Sequence, residues 1–317
     1  MRENTSDGMR IQSAALSFFL LLPFAQANAE NENPLLDAVV NNDFKTLDTL
    51  LARPENARFL NTADEEGHTI VYQSANFQML KYLNDRGAAI NASDTELIYN
   101  IIDGWAQSPQ GMVESEKGIE FLLAKGVDPK PRLFESQINL LHASMSMNSW
   151  KITEMLVRKG VDVNGRDREG NTPMHSVSIN FDFETPFVGR KIDLLLKAGA
   201  DINAKNNNGT TPLMSATNTV VGQTAIELMN RGANVNLQDN DGFTALHWAC
   251  WQHNDEAMIR AIVSHGASAS LRTKDGKTAR DYLEINSLLD EAARARLRTV
   301  LSSANPSRRP APPPRRR

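Results

Sequence analysis

Apolar positions along the chain recur at helical spacing in short bursts, each closed by a glycine. Ile192, Leu194, Leu195 and Leu196 form one such burst, and Ile226, Leu228 and Met229 form another. Each supplies a stripe that predicts an amphipathic helix. Stripes this short cannot bury themselves within one unit, so neighbouring units must stack against them. The bursts end in Gly87, Gly126, Gly160, Gly199, Gly232 and Gly266, which stand 39, 34, 39, 33 and 34 residues apart. Glycine there adopts the left-handed conformation that terminates a helix.

A second anchor keeps the same phase. It reads Thr172-Pro173-Met174-His175, Thr211-Pro212-Leu213-Met214 and Thr244-Ala245-Leu246-His247. Weaker copies are Asn33-Pro34-Leu35-Leu36, Thr69-Ile70-Val71-Tyr72, Asn139-Leu140-Leu141-His142 and Thr278-Ala279-Arg280. Thr or Asn can cap a helix by accepting a backbone N–H, and Pro at the next position loses no needed donor. Between units, Asp167-Arg168-Glu169-Gly170, Asn206-Asn207-Asn208-Gly209, Asp239-Asn240-Asp241-Gly242 and Lys274-Asp275-Gly276 carry turn chemistry.

These anchors resemble the ankyrin-repeat family, whose unit of about 33 residues carries T-P-L-H-x-A ahead of two helices. The resemblance covers roughly 33 to 301 and is strongest from Val161 to Thr278. It implies an all-α solenoid of stacked helix-turn-helix units with short β-hairpin fingers. Seven units are expected, at 33–66, 67–93, 94–138, 139–171, 172–209, 210–242 and 243–275, followed by a capping helix pair at 276–301. The two 39-residue intervals predict extra loop between the helices of a unit, near Asp103 to Glu116 and Ile179 to Arg190. The first holds Trp105 and Met112, the second Phe181, Phe183 and Phe187. Such aromatics either contact a partner or fold back over the side of the array.

The ends differ from this body. Arg10, an apolar run from Ile11 to Phe24 and Ala27-Asn28-Ala29 together read as a secretory signal peptide over 1–29, with Met9 an alternative start. The run is too short for a bilayer, which needs ~20 apolar residues. The expectation is a mature repeat domain over 30–301, without a membrane span, in the periplasm. From Ser302 to Arg317 there are five Arg, five Pro and no acidic residue, which predicts a disordered tail of polyproline character.

Composition excludes more than it selects. With 317 residues, 41% hydrophobic and 23% charged, global disorder and a polytopic membrane protein are both poor fits. Aromatics are only 6%, which suits thin modules with aliphatic cores. A single cysteine, Cys250, allows no intramolecular disulfide and no cysteine-based zinc cluster. The net charge of −4 averages an acidic body, 27 basic against 36 acidic residues over 30–301, with a +5 tail. That tail could meet anionic lipid, nucleic acid or the body's own acidic face, or simply be solvated.

Candidate chemistry is thin. His247 and Cys250 lie three apart on one helix, but His247 holds the motif's structural histidine position, as His142 and His175 do, and Cys250 sits where a small buried residue is expected. Gly276-Lys277-Thr278 lacks the earlier glycine of a P-loop, since Leu271 stands there. Asp239-Asn240-Asp241-Gly242 fails as a calcium loop because Leu237 and Trp248 occupy ligand positions. No nucleophile elbow, H-E-x-x-H pair or G-x-G-x-x-G turn occurs. The expectation is therefore no enzyme, no cofactor and no metal.

A surface remains. In the family resemblance, inner helices and fingers form a concave binding face, here Arg168, Glu169, Ser176, Asn207, Asn208, Ser215, Asn240, Asp241, Trp248, Lys274 and Asp275. Trp248 leads this set, as an outward aromatic able to anchor a partner, with packing between repeats as its other reading; Trp251 is expected to pack between helices. The resemblance to exported ankyrin proteins of bacteria implies a protein partner, no specific nucleic acid and a monomer. Its most concrete form is an immunity protein masking a periplasm-acting toxin, such as a lipase of a contact-dependent secretion system. The alternatives are a stress-defence accessory to a periplasmic catalase and a secreted effector that binds a host protein.

Overall fold

A computed structural model describes residues 33–105, 108–177, 187–217, 222–252 and 255–304. Residues 1–29, expected to be a leader, Phe181, Phe183, His253 and the residues from 305 onward lie outside the described residues.

The described chain is all-α, built from successive helix pairs. In chain order these are α1 (Leu36–Val40) with α2 (Phe44–Leu51), a 3-10 turn (Ile70–Gln73) with α3 (Phe77–Asp85), and α4 (Thr95–Gly104) with α5 (Pro109–Ala124). Then follow α6 (Leu140–Ser146) with α7 (Trp150–Arg158), α8 (Pro173–Ser176) with α9 (Val188–Lys197), and α10 (Pro212–Thr217) with α11 (Gln223–Asn230). The last are α12 (Ala245–Gln252) with α13 (Glu256–Ser264), and α14 (Ala279–Ile285) with α15 (Glu291–Ser303). The first helix of each pair packs on its counterparts, α4 on α6, α6 on α8, α8 on α10, α10 on α12 and α12 on α14. The second helices do the same from α3 through α5, α7, α9, α11 and α13 to α15. Two parallel rows of helices result, and one aliphatic core runs between them from Leu35 to Leu301.

The recurring anchors start the inner helices by a shared device. Thr172 caps α8 while His175, three residues on, reaches back: its Nδ1 accepts the Thr172 backbone N–H at 3.0 Å. His142 repeats this toward Asn139 at 3.2 Å and His247 toward Thr244 at 3.1 Å. With Nδ1 accepting, Nε2 is left to donate. His142 Nε2 meets the carbonyl of Asn171 at 3.1 Å and His175 Nε2 that of Thr210 at 3.0 Å, tying each helix start to the next unit. At His247 the corresponding backbone, of Lys277 and Leu271, is near the ring without closing a hydrogen bond to Nε2. Burial lowers the pKa of all three rings, so they fold neutral.

One departure from expectation lies at the first long interval. Instead of a loop across 103–116, the chain extends the outer helix, so that α5 has 16 residues. Ser108 accepts the Gly111 N–H at 3.0 Å and Pro109 takes the first helical position, which starts the helix early. Trp105 folds back over the array. It is half-buried, its Nε1–H donates to the Ser74 carbonyl at 2.8 Å, and a Cβ on Gly118 would stand 2.6 Å from its ring. Trp105 is therefore packed against α5 and is not a free contact residue.

At the second long interval, Phe187 is half-buried and leads into α9. Four residues later Lys191 is 1% exposed. Its ammonium Nζ reaches the C-terminal end of α6, donating to the carbonyls of Ser144 at 3.0 Å, Met145 at 3.1 Å and Met147. Carbonyls at the end of a helix lack the full set of intrahelical donors; here Ser144 O keeps only the Met147 N–H at 3.4 Å, and a cation there also faces the negative end of the helix dipole. Beside it Arg190 stacks over the Trp150 ring with its guanidinium carbon 3.2 Å from the centroid.

Candidate binding face

The fingers between units are tight turns rather than extended hairpins. Pairing is reduced to isolated bridges, Leu133 with Ile138 and Arg272 with Thr278. Each turn is closed by its own side chain: Asp167 accepts the Asn171 N–H at 2.7 Å, Asn206 that of Thr210 at 3.0 Å and Asp239 that of Phe243 at 2.8 Å. The glycine ending each turn is required twice over. Gly209 has φ +75°, and a Cβ there would sit 2.7 Å from the Asn240 backbone nitrogen.

Successive fingers then bond to one another through the backbone. Arg168 N–H donates to Ser136 O at 2.9 Å, Asn207 to Glu169 O at 3.0 Å, Asn240 to Asn208 O at 2.9 Å and Lys274 to Asp241 O at 2.9 Å. Side chains add a second ladder. Arg132 donates to the Arg166 carbonyl, Arg166 to that of Lys205 at 2.7 Å, Lys205 to that of Gln238 at 2.6 Å and Gln238 to that of Arg272 at 2.8 Å. The inner members Arg166, Lys205 and Gln238 are each both donor to the next finger and acceptor from the one before. This column was not singled out from the sequence, though its spacing repeats the unit length.

Against this frame the residues expected on the concave face divide. Arg168, Glu169, Asn207, Asn208, Asn240, Asp241, Lys274 and Asp275 are exposed at finger tips. Two of them also hold the ladder, since the Asn207 side chain donates to the Arg168 carbonyl at 3.0 Å and that of Asn240 to the Asn207 carbonyl at 2.9 Å. Lys274 and Asp241 approach only to 3.9 Å and both stay largely in solvent. Asp275 is held by the Thr273 hydroxyl and by Lys277 at 3.0 Å, which pull its pKa down to about 2. Ser215 is half-buried. Ser176 is 7% exposed and offers a partner nothing: α8 is a single turn whose every residue faces neighbouring units.

Trp248 does not stand free. It is half-buried, its ring centroid lies 5.0 Å from that of Phe243 and its Nε1–H donates to Asp239 at 3.3 Å. Trp251, expected between helices, is instead 39% exposed. The two indoles lie 5.6 Å apart because residues three apart share a helix face. Phe243 and Trp251 in turn meet Tyr282 of α14 at 5.0 and 5.8 Å. Ile285, the last residue of α14, and Leu288, three residues beyond it, are each 60% exposed. An aromatic and aliphatic ridge therefore crosses the last two inner helices, in a chain otherwise poor in aromatics.

Nothing reactive converges on this face. Cys250 is buried beneath it with its thiol pKa pushed up to about 12 by burial. Among the described residues no group of three or more His, Cys, Asp or Glu is placed to hold a metal ion, and no helix is long and apolar enough to cross a membrane.

Residues 189–278 match the family model of ankyrin repeats, in three copies. This segment takes in the fingers from Lys205 to Gly276 and the Phe243, Trp248 and Trp251 part of the ridge, and it supports the ankyrin resemblance where the anchors are strongest. No curated protein matches the chain.

Proposed function

We propose that this chain is a non-enzymatic module that binds another protein across its fingers and aromatic ridge. The observation that carries the reading is a rigid, laddered row of fingers beside partly exposed indoles. Groups held in place before binding lose little entropy on association, and Trp is the commonest kind of interface anchor. Ankyrin repeats, as a family, indicate protein–protein interaction. The finer proposal is an exported inhibitor: a periplasmic immunity protein that masks an incoming toxin, such as a lipase. It rests on the leader-like segment 1–29 and on a face suited to covering another surface.

The test is affinity capture from a cell-envelope extract with the tagged chain, in wild type and in an N208R/D241R variant that alters two exposed finger tips. A protein retained by the wild type and lost by the variant, at unchanged melting temperature, is the expected result. Equal capture by both would move the interface elsewhere, and hydrolytic activity of the purified chain would overturn the reading. For the inhibitor version, the captured protein expressed alone in the periplasm should arrest growth, and co-expression of this chain should relieve it.

A further inference from the structure

We propose that the ridge on α12 and α14 is a docking site, in cis, for the chain's own C-terminal segment, residues 305–317. The surface consists of Trp248, Trp251, Tyr282, Ile285 and Leu288, with Phe243 at its base. Trp251 is 39% exposed and Ile285 and Leu288 60% each, large apolar side chains that gain nothing by standing in water.

The occupant follows from chemistry and reach. The segment reads Asn-Pro-Ser-Arg-Arg-Pro-Ala-Pro-Pro-Pro-Arg-Arg-Arg. Proline-rich chains present a preformed left-handed helix whose rings dock into aromatic-lined grooves at small entropy cost. Arginine guanidinium groups stack on indole and phenol faces. Both halves of the segment's composition thus match a ridge of two Trp and one Tyr. A carboxylate is also at hand: Asp241, in the finger two residues ahead of Phe243, has its side chain 80% exposed, and its ion pair to Lys274 at 3.9 Å is loose enough for an arginine to supplant.

The described chain ends at Ala304, just past α15, and α15 packs directly on α14. Thirteen residues in polyproline form span about 40 Å at ~3.1 Å each, whereas packed helices are spaced ~10 Å apart. The segment therefore reaches α14 and α12 without strain. Tethering so close to its site gives an effective concentration on the order of millimolar, so weak intrinsic affinity suffices for occupancy. Docking in cis is independent of the proposed inhibitor function, because it needs no external partner.

The test compares two full-length proteins by the indole N–H resonances of their tryptophans. One is wild type. In the other, Pro310, Pro312, Pro313 and Pro314 are changed to Ser and the five tail arginines to Ser. The expected result is a shift of the Trp251 and Trp248 signals, with Trp105 and Trp150 unmoved and circular dichroism unchanged. Adding a synthetic peptide of residues 305–317 to the variant should return both signals toward their wild-type positions, and a W251A exchange in that variant should abolish the response. Identical Trp251 signals in the two proteins would overturn the proposal. So would a wild-type signal that moves on dilution, since that marks docking between two copies. If the ridge signals stay put while the wild type alone binds vesicles of anionic lipid, the segment belongs to a membrane surface and the proposal also fails.

Discussion

Replacing Lys191 by Met keeps the length of the side chain and removes its charge, which isolates the one buried ammonium described here. Lys191 is 1% exposed, and burial pulls its pKa down from 10.5 to about 7. Its contacts are three backbone carbonyls at the end of α6 rather than a carboxylate. Between pH 7 and 10.5 the unfolded chain holds the lysine proton more tightly than the folded one does. Folding stability contributed by this residue therefore rises with pH across that window and is lowest below it. Each unit of pKa difference corresponds to ~1.4 kcal/mol, so the stability of wild type relative to K191M should grow by about 3 kcal/mol between pH 7 and 9.5. The physical reason is that a neutral amine still donates to the carbonyls without the cost of burying a charge, whereas the Met variant removes that donor from all three. Urea unfolding of both proteins, followed by circular dichroism at pH 7, 8, 9 and 9.5, measures the difference while the titration of all other groups cancels. A difference that stays constant with pH would mean that the α6 carbonyls hold the ammonium at its ordinary pKa, and the reasoning would be refuted.

Three further outcomes are expected. The neutral, buried His142, His175 and His247 must take up protons when the chain unfolds in acid, so stability should fall as pH drops below about 6.5; calorimetry from pH 7 to 5 checks this, and an H142Q/H175Q/H247Q protein should show a flatter profile. Gly209→Ala should cost more than 1 kcal/mol, because φ is +75° and the new methyl meets Asn240. Gly199→Ala, at φ +91° with nothing within 4 Å, should cost only the backbone strain, and equal melting temperatures for the two would refute the finger-stacking argument. Trp248→Ala should lose about 1–3 kcal/mol of stability through its packing on Phe243, while Trp251→Ala should lose well under 1 kcal/mol, as thermal melts would show.

How far the sequence was legible depended on whether a residue repeats. The glycines ending outer helices and the Thr-Pro or Asn-Leu starts of inner ones recur, so their phase revealed the solenoid and its terminal pair α14 and α15. The histidine position was legible for the same reason, since three copies share one capping role. Singular features were hidden. Ser108-Pro109 is an ordinary helix start, but reading the interval as an insertion concealed a longer α5. Lys191 lies in step with Val188, Ile192 and Leu195 on the buried stripe of α9, a signal visible in the spacing and overlooked because lysine is so seldom interior. The exposure of Trp248 and Trp251 was exchanged because it depends on Phe243 and Tyr282, which come from other segments. For Trp251 a clue existed, since a residue three positions from an outward Trp248 shares its face.

The column Arg132, Arg166, Lys205, Gln238 and Arg272 also bears on how the chain responds to pulling. Every bond in it joins one finger to the next, beside one bond of the backbone ladder, so the boundaries between fingers stand in series along the chain. Tension applied at the chain ends would load these boundaries one at a time, and units should peel away singly from an end. A released unit of about 33 residues adds ~110 Å of extended chain, so the force–extension trace of this protein should be a staircase with that rise.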